Sequence, residues 1–318
     1  MNRRSLLIRA GVVAGAVGGG WWLKEHVLWR APGVAFAASG QTPWIDFATR
    51  VLSPTVPVRI GDRTVTALID SGAQYSVIDK AFHETIEAEL GPRPLFDIPL
   101  VAYGVGGQAQ MGQGVRMDMA LQGLALTGLR CAILDLGPLA DERGLSAPLI
   151  LGQDLLKLVA LEVDLVDRRV RLMDRDRITL DARWSRAAVR RRGTRLVTPV
   201  EVEGHTLEAV VDTGATAILS LSQPAAEAAG VLDGRPTETG DSLVLGGQIQ
   251  GDILKIANLK ALGRTFMKVD VPVYGAVGRP GVPEALLGMG AFRGQGLLLD
   301  IGGGTLHRSA TLEVTVES

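Results

Sequence analysis

The sequence predicts an all-β protein with few short helices, built as two related lobes in one chain. Glycine supplies 40 of the 318 residues, about 13% against a usual share of about 7%, as many tight turns between strands would require. The chain also contains an internal repeat, and β-branched, partly alternating segments occur in both copies. Strands, turns and duplication together favour this fold class over a helical or fibrous one.

Composition and charge limit the classes of function. The 33 basic and 34 acidic side chains leave a formal net charge of -1, which argues against a dedicated nucleic-acid-binding protein. A hydrophobic content of 47% with 21% charged residues is ordinary for a globular chain and excludes disorder over most of its length. The length alone predicts two domains, at about 150 residues each.

Cysteine and histidine usage gives no sign of a metal or a cofactor. The single cysteine, Cys131, has no intramolecular partner and lies in an apolar segment, so we expect a buried thiol. The four histidines are far apart in the sequence and form no metal-binding motif. We therefore predict that the protein uses neither a metal nor a cofactor.

Residues 1–37 are predicted to be an export signal that is not part of the fold. The arginine pair at 3–4 precedes a small, apolar stretch that resembles a twin-arginine signal, and Ala-Phe-Ala at 35–37 offers a cleavage site. The alternative is a retained anchor, because 6–23 approaches the length that crosses a bilayer. Both interpretations place the folded part in the periplasm or elsewhere outside the cytoplasm, and the second adds a membrane tether.

The chain repeats itself once. Each copy contains a strand, a turn at a glycine, a second strand, an Asp-[Ser/Thr]-Gly-Ala loop and, further on, an apolar-apolar-Gly segment and a strand that ends in Asp. The corresponding segments are 58–79 and 200–220, 149–152 and 285–288, and 161–164 and 297–300. The later segments are separated by slightly fewer residues, as a loop insertion in the first copy would produce.

The repeat predicts two lobes related by a pseudo-twofold axis, an N-terminal lobe at 44–174 and a C-terminal lobe at 195–310. Between them, 175–194 is rich in arginine. One tryptophan and no RNA-binding motif accompany these arginines, so we interpret the segment as a solvated linker rather than a nucleic-acid patch. Because both lobes lie in one chain, we expect a monomer, with no nucleic-acid partner.

Local patterns assign further elements to each lobe. Enrichment in β-branched residues predicts strands at 64–69 and 197–202. Helices are predicted at 80–90 and 223–229, each followed by a glycine. Glycine-rich segments between apolar runs predict a hairpin tip in each lobe.

Each copy places one acidic loop after an apolar strand. The loops are Asp70-Ser71-Gly72-Ala73 and Asp212-Thr213-Gly214-Ala215. One such loop is a weak signal because its residues are common in turns, whereas two at equivalent places in a repeat are specific. Two carboxyl groups held close together share one proton, since both cannot easily ionise. Such a pair can take a proton from water and give one to a carbonyl oxygen, which is metal-independent hydrolysis.

Both copies resemble the retropepsin-like aspartic peptidases, in particular the bacterial aspartyl protease family, over nearly all of 56–308. The resemblance implies two pseudo-twofold-related β-barrel lobes of the acid protease type, each of which contributes one Asp to a shared site. It implies a peptide or protein substrate and hydrogen bonds from Ser71 and Thr213 to the opposite loop. The implied catalytic residues are Asp70 and Asp212, supported by Ser71, Gly72, Ala73, Thr213, Gly214 and Ala215.

The family also has a glycine-tipped flap over its substrate. The candidate flap residues are Tyr103, Gly104, Gly106 and Gly107 in the first lobe and Gly246 and Gly247 in the second. The alternative is a pair of glycine hairpins that make no contact with a substrate.

Four positions bear on how far the resemblance extends. The retroviral pattern often has an arginine after the apolar-apolar-Gly segment, where this chain has Gln153 and Met289. The inter-lobe charge contacts of such an arginine are therefore not expected. Ala73 and Ala215 carry no hydroxyl group to stabilise the ionised pair, so we expect a less acidic pair and activity that extends towards neutral pH.

Three functional interpretations follow from the sequence. The first is an exported aspartic endopeptidase that uses Asp70 and Asp212. The second is a non-catalytic module of the same fold that binds a peptide or another ligand in the cleft. The third is a membrane-tethered scaffold whose lobes serve an interaction. The presence of both carboxyl groups with both hydroxyl partners favours the first.

Overall fold

The computed structural model describes residues 31–103, 109–141, 144–244, 247–274 and 283–310. The first half contains β1 (Gly33–Phe36), β2 (Ile45–Asp46), β3 (Thr55–Ile60), β4 (Arg63–Ile69), β5 (Ser76–Asp79), α1 (Lys80–Leu90), β6 (Leu95–Tyr103), β7 (Ala109–Leu121), β8 (Leu124–Leu134), β9 (Leu149–Leu151), α2 (Gln153–Leu156), β10 (Val159–Asp164) and β11 (Arg169–Asp174). The second half contains β12 (Trp184–Arg186), β13 (Arg190–Arg192), β14 (Arg195–Val202), β15 (His205–Val211), β16 (Leu219–Ser222), α3 (Gln223–Ala228), β17 (Thr237–Val244), β18 (Gly247–Ala261), β19 (Arg264–Tyr274), β20 (Ala285–Leu287), β21 (Gly296–Asp300) and β22 (Thr305–Ser309). Short 3-10 turns lie at Gly137–Leu139, Arg175–Arg177 and Met289–Phe292.

Each lobe is a closed barrel of six strands. In the first lobe the order around the barrel is β3, β4, β9, β5, β8 and β7, and the pairing of β7 with β3 closes it. In the second lobe the order is β14, β15, β20, β16, β19 and β18, and the pairing of β14 with β18 closes it. The predicted all-β, two-lobed chain is confirmed.

Strand β3 illustrates how the sequence produces a barrel wall. Val56, Val58 and Ile60 are buried, whereas the intervening Pro57 and Arg59 are exposed. Successive side chains of a strand point to opposite faces, so this alternation turns one face to the barrel interior and the other to water.

The two longer helices occupy equivalent places in the lobes, directly after β5 and β16. The carboxylate of Asp79 accepts a hydrogen bond from the backbone N–H of Phe82 at 3.1 Å, and the hydroxyl of Ser222 accepts one from Ala225 at 3.2 Å. Both residues cap the first turn of their helix, where backbone N–H groups lack partners within the helix. The helices predicted at 80–90 and 223–229 are thus present, the second one residue shorter.

A six-stranded sheet joins the lobes, in the order β12-β22-β21-β10-β11-β2. At its centre β10 pairs antiparallel with β21, with Leu161 opposite Leu299 and Val163 opposite Leu297. These strands are the two copies of one repeated segment, so the pseudo-twofold axis passes between them. Their buried side chains belong to a hydrophobic cluster that continues into both barrels, so the lobes share one core.

The arginine-rich segment 175–194 is more ordered than the predicted linker. Its strand β12 extends the central sheet beside β22, and its strand β13 pairs with β14. Arg175 forms an ion pair with Asp300 at 2.6 Å, and Arg191 donates to the carbonyl oxygen of Ile301 at 2.8 Å. These arginines therefore connect the segment to the second lobe, through partners too distant in sequence for a local pattern to reveal.

The first lobe begins earlier than predicted. Strand β1 pairs antiparallel with β8, with Gly33 opposite Thr127 and Phe36 opposite Leu124. Residues 33–36 thus belong to a sheet, although the prediction assigned them to the leader, and cleavage at 37 would remove this strand. Residues 1–30 lie outside the described residues. None of the helices in the described part of the chain is long and apolar enough to span a membrane.

Candidate functional site

The two acidic loops lie at the ends of equivalent barrel strands. Asp70 follows β4, and its backbone N–H donates to the carbonyl oxygen of Leu151 at 2.9 Å. Asp212 follows β15, and its backbone N–H donates to the carbonyl oxygen of Leu287 at 2.9 Å. Leu151 and Leu287 end β9 and β20, which run parallel to β4 and β15. The apolar-apolar-Gly segments of the repeat therefore hold the acidic loops in place.

Four hydrogen bonds cross between the loops. The hydroxyl of Ser71 donates to the carbonyl oxygen of Val211 at 2.9 Å, and the hydroxyl of Thr213 donates to that of Ile69 at 2.7 Å. In return, the backbone N–H of Ser71 donates to Thr213 Oγ1 at 2.9 Å, and that of Thr213 donates to Ser71 Oγ at 3.0 Å. Both side chains are buried, so losing these bonds would leave polar groups unsatisfied. The bonds therefore fix the two loops relative to each other.

The carboxyl groups of Asp70 and Asp212 meet between the loops, and each lies against the glycine of the opposite loop. Asp70 Oδ1 accepts from the backbone N–H groups of Gly72 at 2.7 Å and Ala73 at 3.1 Å. Asp212 Oδ1 accepts from that of Gly214 at 2.8 Å. A Cβ at Gly72 would lie 2.7 Å from the Asp212 carboxyl carbon, and one at Gly214 would lie 2.6 Å from that of Asp70. Glycine is therefore required at both positions.

Burial of this pair raises the pKa of both carboxyl groups. For Asp70, burial is the main cause, and hydrogen bonds from Asp212 and from the loop N–H groups act in the opposite direction. For Asp212, burial again comes first and the negative charge of Asp70 adds to it, so its pKa lies well above the ordinary value. Because the groups are coupled, they titrate as a unit. The pair keeps one proton to a higher pH than two isolated carboxyl groups would.

The first lobe supports its acidic loop with two polar side chains. Gln153 is buried and donates from Nε2 to the carbonyl oxygen of Ser71 at 2.7 Å. Asp154 Oδ1 accepts from the backbone N–H of Ser76 at 2.9 Å and from its hydroxyl at 2.8 Å, and burial raises the pKa of Asp154. The corresponding residues of the second lobe, at 289–290, are Met and Gly, which can form neither contact.

Three further side chains, which no motif in the sequence marks, lie near the pair. Ser53 donates from its hydroxyl to the carbonyl oxygen of Gly214 at 2.9 Å, across the lobes. Arg195 is half-buried and lies within electrostatic range of Asp212 and Tyr274. Arg195 precedes Asp212 by as many residues as Ser53 precedes Asp70. Alignment of the two copies could therefore have found Arg195.

The first-lobe flap candidates lie at the end of β6 and in the chain between β6 and β7. These strands pair as far as Tyr103 and Ala109. Gly104, Gly106 and Gly107 lie outside the described residues. The two strands that flank these candidates are thus paired, and contact with a substrate stays a prediction.

The second-lobe flap candidates lie between β17 and β18 in the chain and at the start of β18. These strands pair as far as Val244 and Gly247, and Gly246 lies outside the described residues. The backbone of this hairpin also contacts the turn Gly137–Leu139 of the first lobe. The second hairpin therefore bridges the two lobes.

The remaining question about the site is whether metal-ligating side chains or a reactive thiol lie near it. In the ranges that the structure describes, no three His, Cys, Asp or Glu side chains are grouped so that they could hold a metal ion. Cys131 lies buried in β8, and burial raises the pKa of its thiol well above the ordinary value. A neutral thiol in the barrel core has a packing role rather than a nucleophilic one.

Comparison with known proteins gives one family match and one distant structural similarity. The sequence pattern described as "Aspartyl protease" matches residues 56–155 and 198–291, one match in each lobe and together more than half of the chain. Among solved structures, basic 7S globulin from soybean is similar at 10% sequence identity, with a TM-score of 0.46 over 87% of this chain and 96% of that chain. No curated protein sequence matches the chain.

Proposed function

Because the chain belongs to the aspartyl protease family, we propose that it is an aspartic endopeptidase that hydrolyses peptide bonds with Asp70 and Asp212. The observation that carries the proposal is the pair of adjacent, buried carboxyl groups, whose loops are held by four hydrogen bonds that cross between them. Such a pair needs no bound group to activate water. The expected substrate is a peptide or protein that lies in the cleft between the lobes.

In the proposed reaction the pair starts with one shared proton. The ionised carboxyl group accepts a proton from a water molecule, whose oxygen attacks the carbonyl carbon of the peptide bond. The protonated carboxyl group donates its proton to the carbonyl oxygen. When the tetrahedral intermediate breaks down, a proton passes to the leaving amine. The pKa raised by burial supports this role, because one proton must stay on the pair at the working pH.

The test compares peptide cleavage by the purified protein and by the variants Asp70→Asn and Asp212→Asn. A random peptide pool is incubated with each protein, and new termini are counted by mass spectrometry. We expect each variant to lose at least about a thousandfold in rate, because an amide can neither accept the proton from water nor share it. Asp62→Asn, at an exposed turn between β3 and β4, is the matched control.

Two outcomes contradict the proposal. Equal cleavage by all four proteins would exclude the pair as the catalytic site. If the wild-type protein cleaves nothing in the pool yet binds peptides in the cleft, the non-catalytic module is the better interpretation.

We also propose that the protein acts outside the cytoplasm. Support comes from the arginine pair and apolar stretch within 1–37, which resemble a twin-arginine signal. Replacing both arginines at 3–4 by lysine should retain the protein in the cytoplasm on cell fractionation. Unchanged fractionation would contradict this route, and membrane association of the wild type would favour the retained anchor.

A further inference from the structure

The first lobe presents an apolar wall beside the acidic pair. Side chains alternate along an extended chain, so Leu68 lies on the same face as Asp70. On this face Leu68 packs with Leu134 and Ile150 in a cluster separate from the barrel core, and Ala73 of the acidic loop packs against them. The three larger side chains are buried, and the partly exposed Ala73 forms the edge of this apolar cluster at the acidic loop.

The equivalent wall of the second lobe is smaller and more polar. Val210 lies on the face of Asp212, and it packs with Leu286 and Tyr274. Tyr274 replaces Leu134, because it pairs with the last residue of β16 as Leu134 pairs with the last residue of β5. A phenol ring thus stands where the first lobe has an aliphatic side chain.

A second difference adds a positive charge to the second-lobe wall. In the first lobe the side chain of Ser53 contacts the acidic loop of the second lobe, because its hydroxyl donates to the carbonyl oxygen of Gly214. The equivalent position of the second lobe holds Arg195. Its half-buried guanidinium lies within electrostatic range of Asp212 and Tyr274. Because the two copies are related by the pseudo-twofold axis, the place of Ser53 beside the opposite acidic loop puts this cation close to the acidic pair.

A guanidinium at such a place has a defined ligand preference. It offers a planar set of N–H donors that can bind a carboxylate through two parallel hydrogen bonds, and partial burial strengthens this contact. Resting on the proposed function, we propose that Arg195 makes the second-lobe subsite select a carboxylate side chain, Glu or Asp, beside the scissile bond. The first-lobe subsite takes an apolar side chain on the other side of that bond.

This role differs measurably from a general effect of Arg195 on the acidic pair. A charge that only alters the pair changes the rate for every peptide by the same factor. A specificity-determining residue changes the ratio between peptides that differ at one side chain. The test therefore measures ratios.

The probes are matched octapeptides with Leu on one side of the central bond and Glu, Gln or Lys on the other, made in both orders. Cleavage is measured as kcat/KM, and binding is measured separately by fluorescence anisotropy in the Asp70→Asn variant. The wild type should favour Glu over the isosteric Gln by about tenfold or more, as expected for a hydrogen-bonded ion pair. Arg195→Ser, which installs the first-lobe residue, should bring the Glu/Gln ratio close to one.

Charge reversal and a control complete the design. Arg195→Glu should reverse the preference, so that Lys is favoured over Glu. Arg192→Ser removes an exposed arginine that pairs with Glu208 of β15, and it should leave the ratio unchanged. Thermal unfolding followed by circular dichroism checks that each variant is folded, and Arg195→Lys keeps the charge if Arg195→Ser does not fold.

The outcomes separate this inference from the proposed function. A wild-type Glu/Gln ratio near one in binding and cleavage, or a ratio that persists in Arg195→Ser, overturns the role of Arg195 even if peptides are cleaved. Discrimination in binding without any cleavage supports Arg195 and contradicts the peptidase. Absence of both binding and cleavage overturns both.

Discussion

The two acidic loops are nearly identical in sequence, yet the lobes hold them differently. In the first lobe Gln153 hydrogen-bonds the loop from behind, and Asp154 binds Ser76 nearby. In the second lobe Met and Gly at 289–290 fill those positions, and Arg195 lies beside the loop instead. The contacts shared by both lobes are thus alike, whereas the contacts made within one lobe have diverged.

The difference has a geometric reason. Ser71 and Thr213 each donate to the opposite lobe and accept from it, so a change in one lobe removes partners from the other. Gln153 has its partner within its own lobe, so its replacement concerns that lobe alone. Symmetry is therefore expected at the axis and asymmetry away from it.

The largest expected effect tests the symmetric part. Gly72→Ala and Gly214→Ala should each abolish peptide cleavage, because the new Cβ would lie 2.7 or 2.6 Å from the opposite carboxyl carbon. Gly33→Ala is the control, since its Cβ would make an ordinary 3.5 Å contact with Thr127. Full activity in either loop variant would show that the lobes are not equivalent even at the axis.

The second-largest expected effect concerns Gln153, which supports the acidic loop of the first lobe only. Gln153→Met, which copies the second lobe, should lower the free energy of unfolding by about 1–3 kcal/mol, because the buried carbonyl oxygen of Ser71 loses its donor. Met289→Leu conserves volume and should cost less than about 1.5 kcal/mol. Urea unfolding of both variants measures this comparison. If Gln153→Met is as stable as the wild type, the amide contact contributes nothing to the difference between the lobes.

A pH-dependent effect sharpens the role of Asp154. Burial raises its pKa in the folded protein, so its contribution to stability is complete below the unfolded pKa of about 3.9 and is lost as pH rises through the folded pKa. Asn does not titrate, so the stability of Asp154→Asn relative to the wild type should rise with pH above about 4. Unfolding free energies measured from pH 4 to 8 test this trend, and the acidic pair cancels in the difference. A relative stability that does not change with pH would contradict the raised pKa.

The smallest effect concerns the residues that follow the two glycines. Ala73→Ser and Ala215→Ser would each offer a hydroxyl group to the ionised pair, whose pKa burial raises in the wild type. The high-pH limb of kcat/KM, where the shared proton is lost, should move to lower pH by about half a unit. A wild-type optimum well below pH 4 would contradict the underlying expectation of activity near neutral pH.

The sequence predicted the parts of the fold that depend on local or repeated patterns. The two lobes and the retropepsin-like aspartic protease fold could be predicted because the acidic loops recur at equivalent places and each follows an apolar strand. Both predictions are confirmed. The bonds expected from Ser71 and Thr213 are present in the structure. The helix at 80–90 was predictable because its cap and its final glycine lie next to it in the chain.

Features that depend on distant partners were not predictable in the same way. Strand β1 forms by pairing with β8, a distant strand, whereas the sequence of 33–36 alone resembles the end of a leader. The arginines of 175–194 have partners such as Asp300, which only the folded chain brings near. Arg195 belongs to this group as well, although comparison of the two copies would have pointed to it.

The central pairing of β10 with β21 has a consequence for the timing of synthesis. Strand β21 follows both acidic loops in the chain, so a ribosome must make both loops before the lobes can join through this pairing. Until then the nascent chain carries Asp70 without its partner loop in place. The proposed activity would thus arise only after β21 has been made, and a chain interrupted before β21 would leave neighbouring proteins intact.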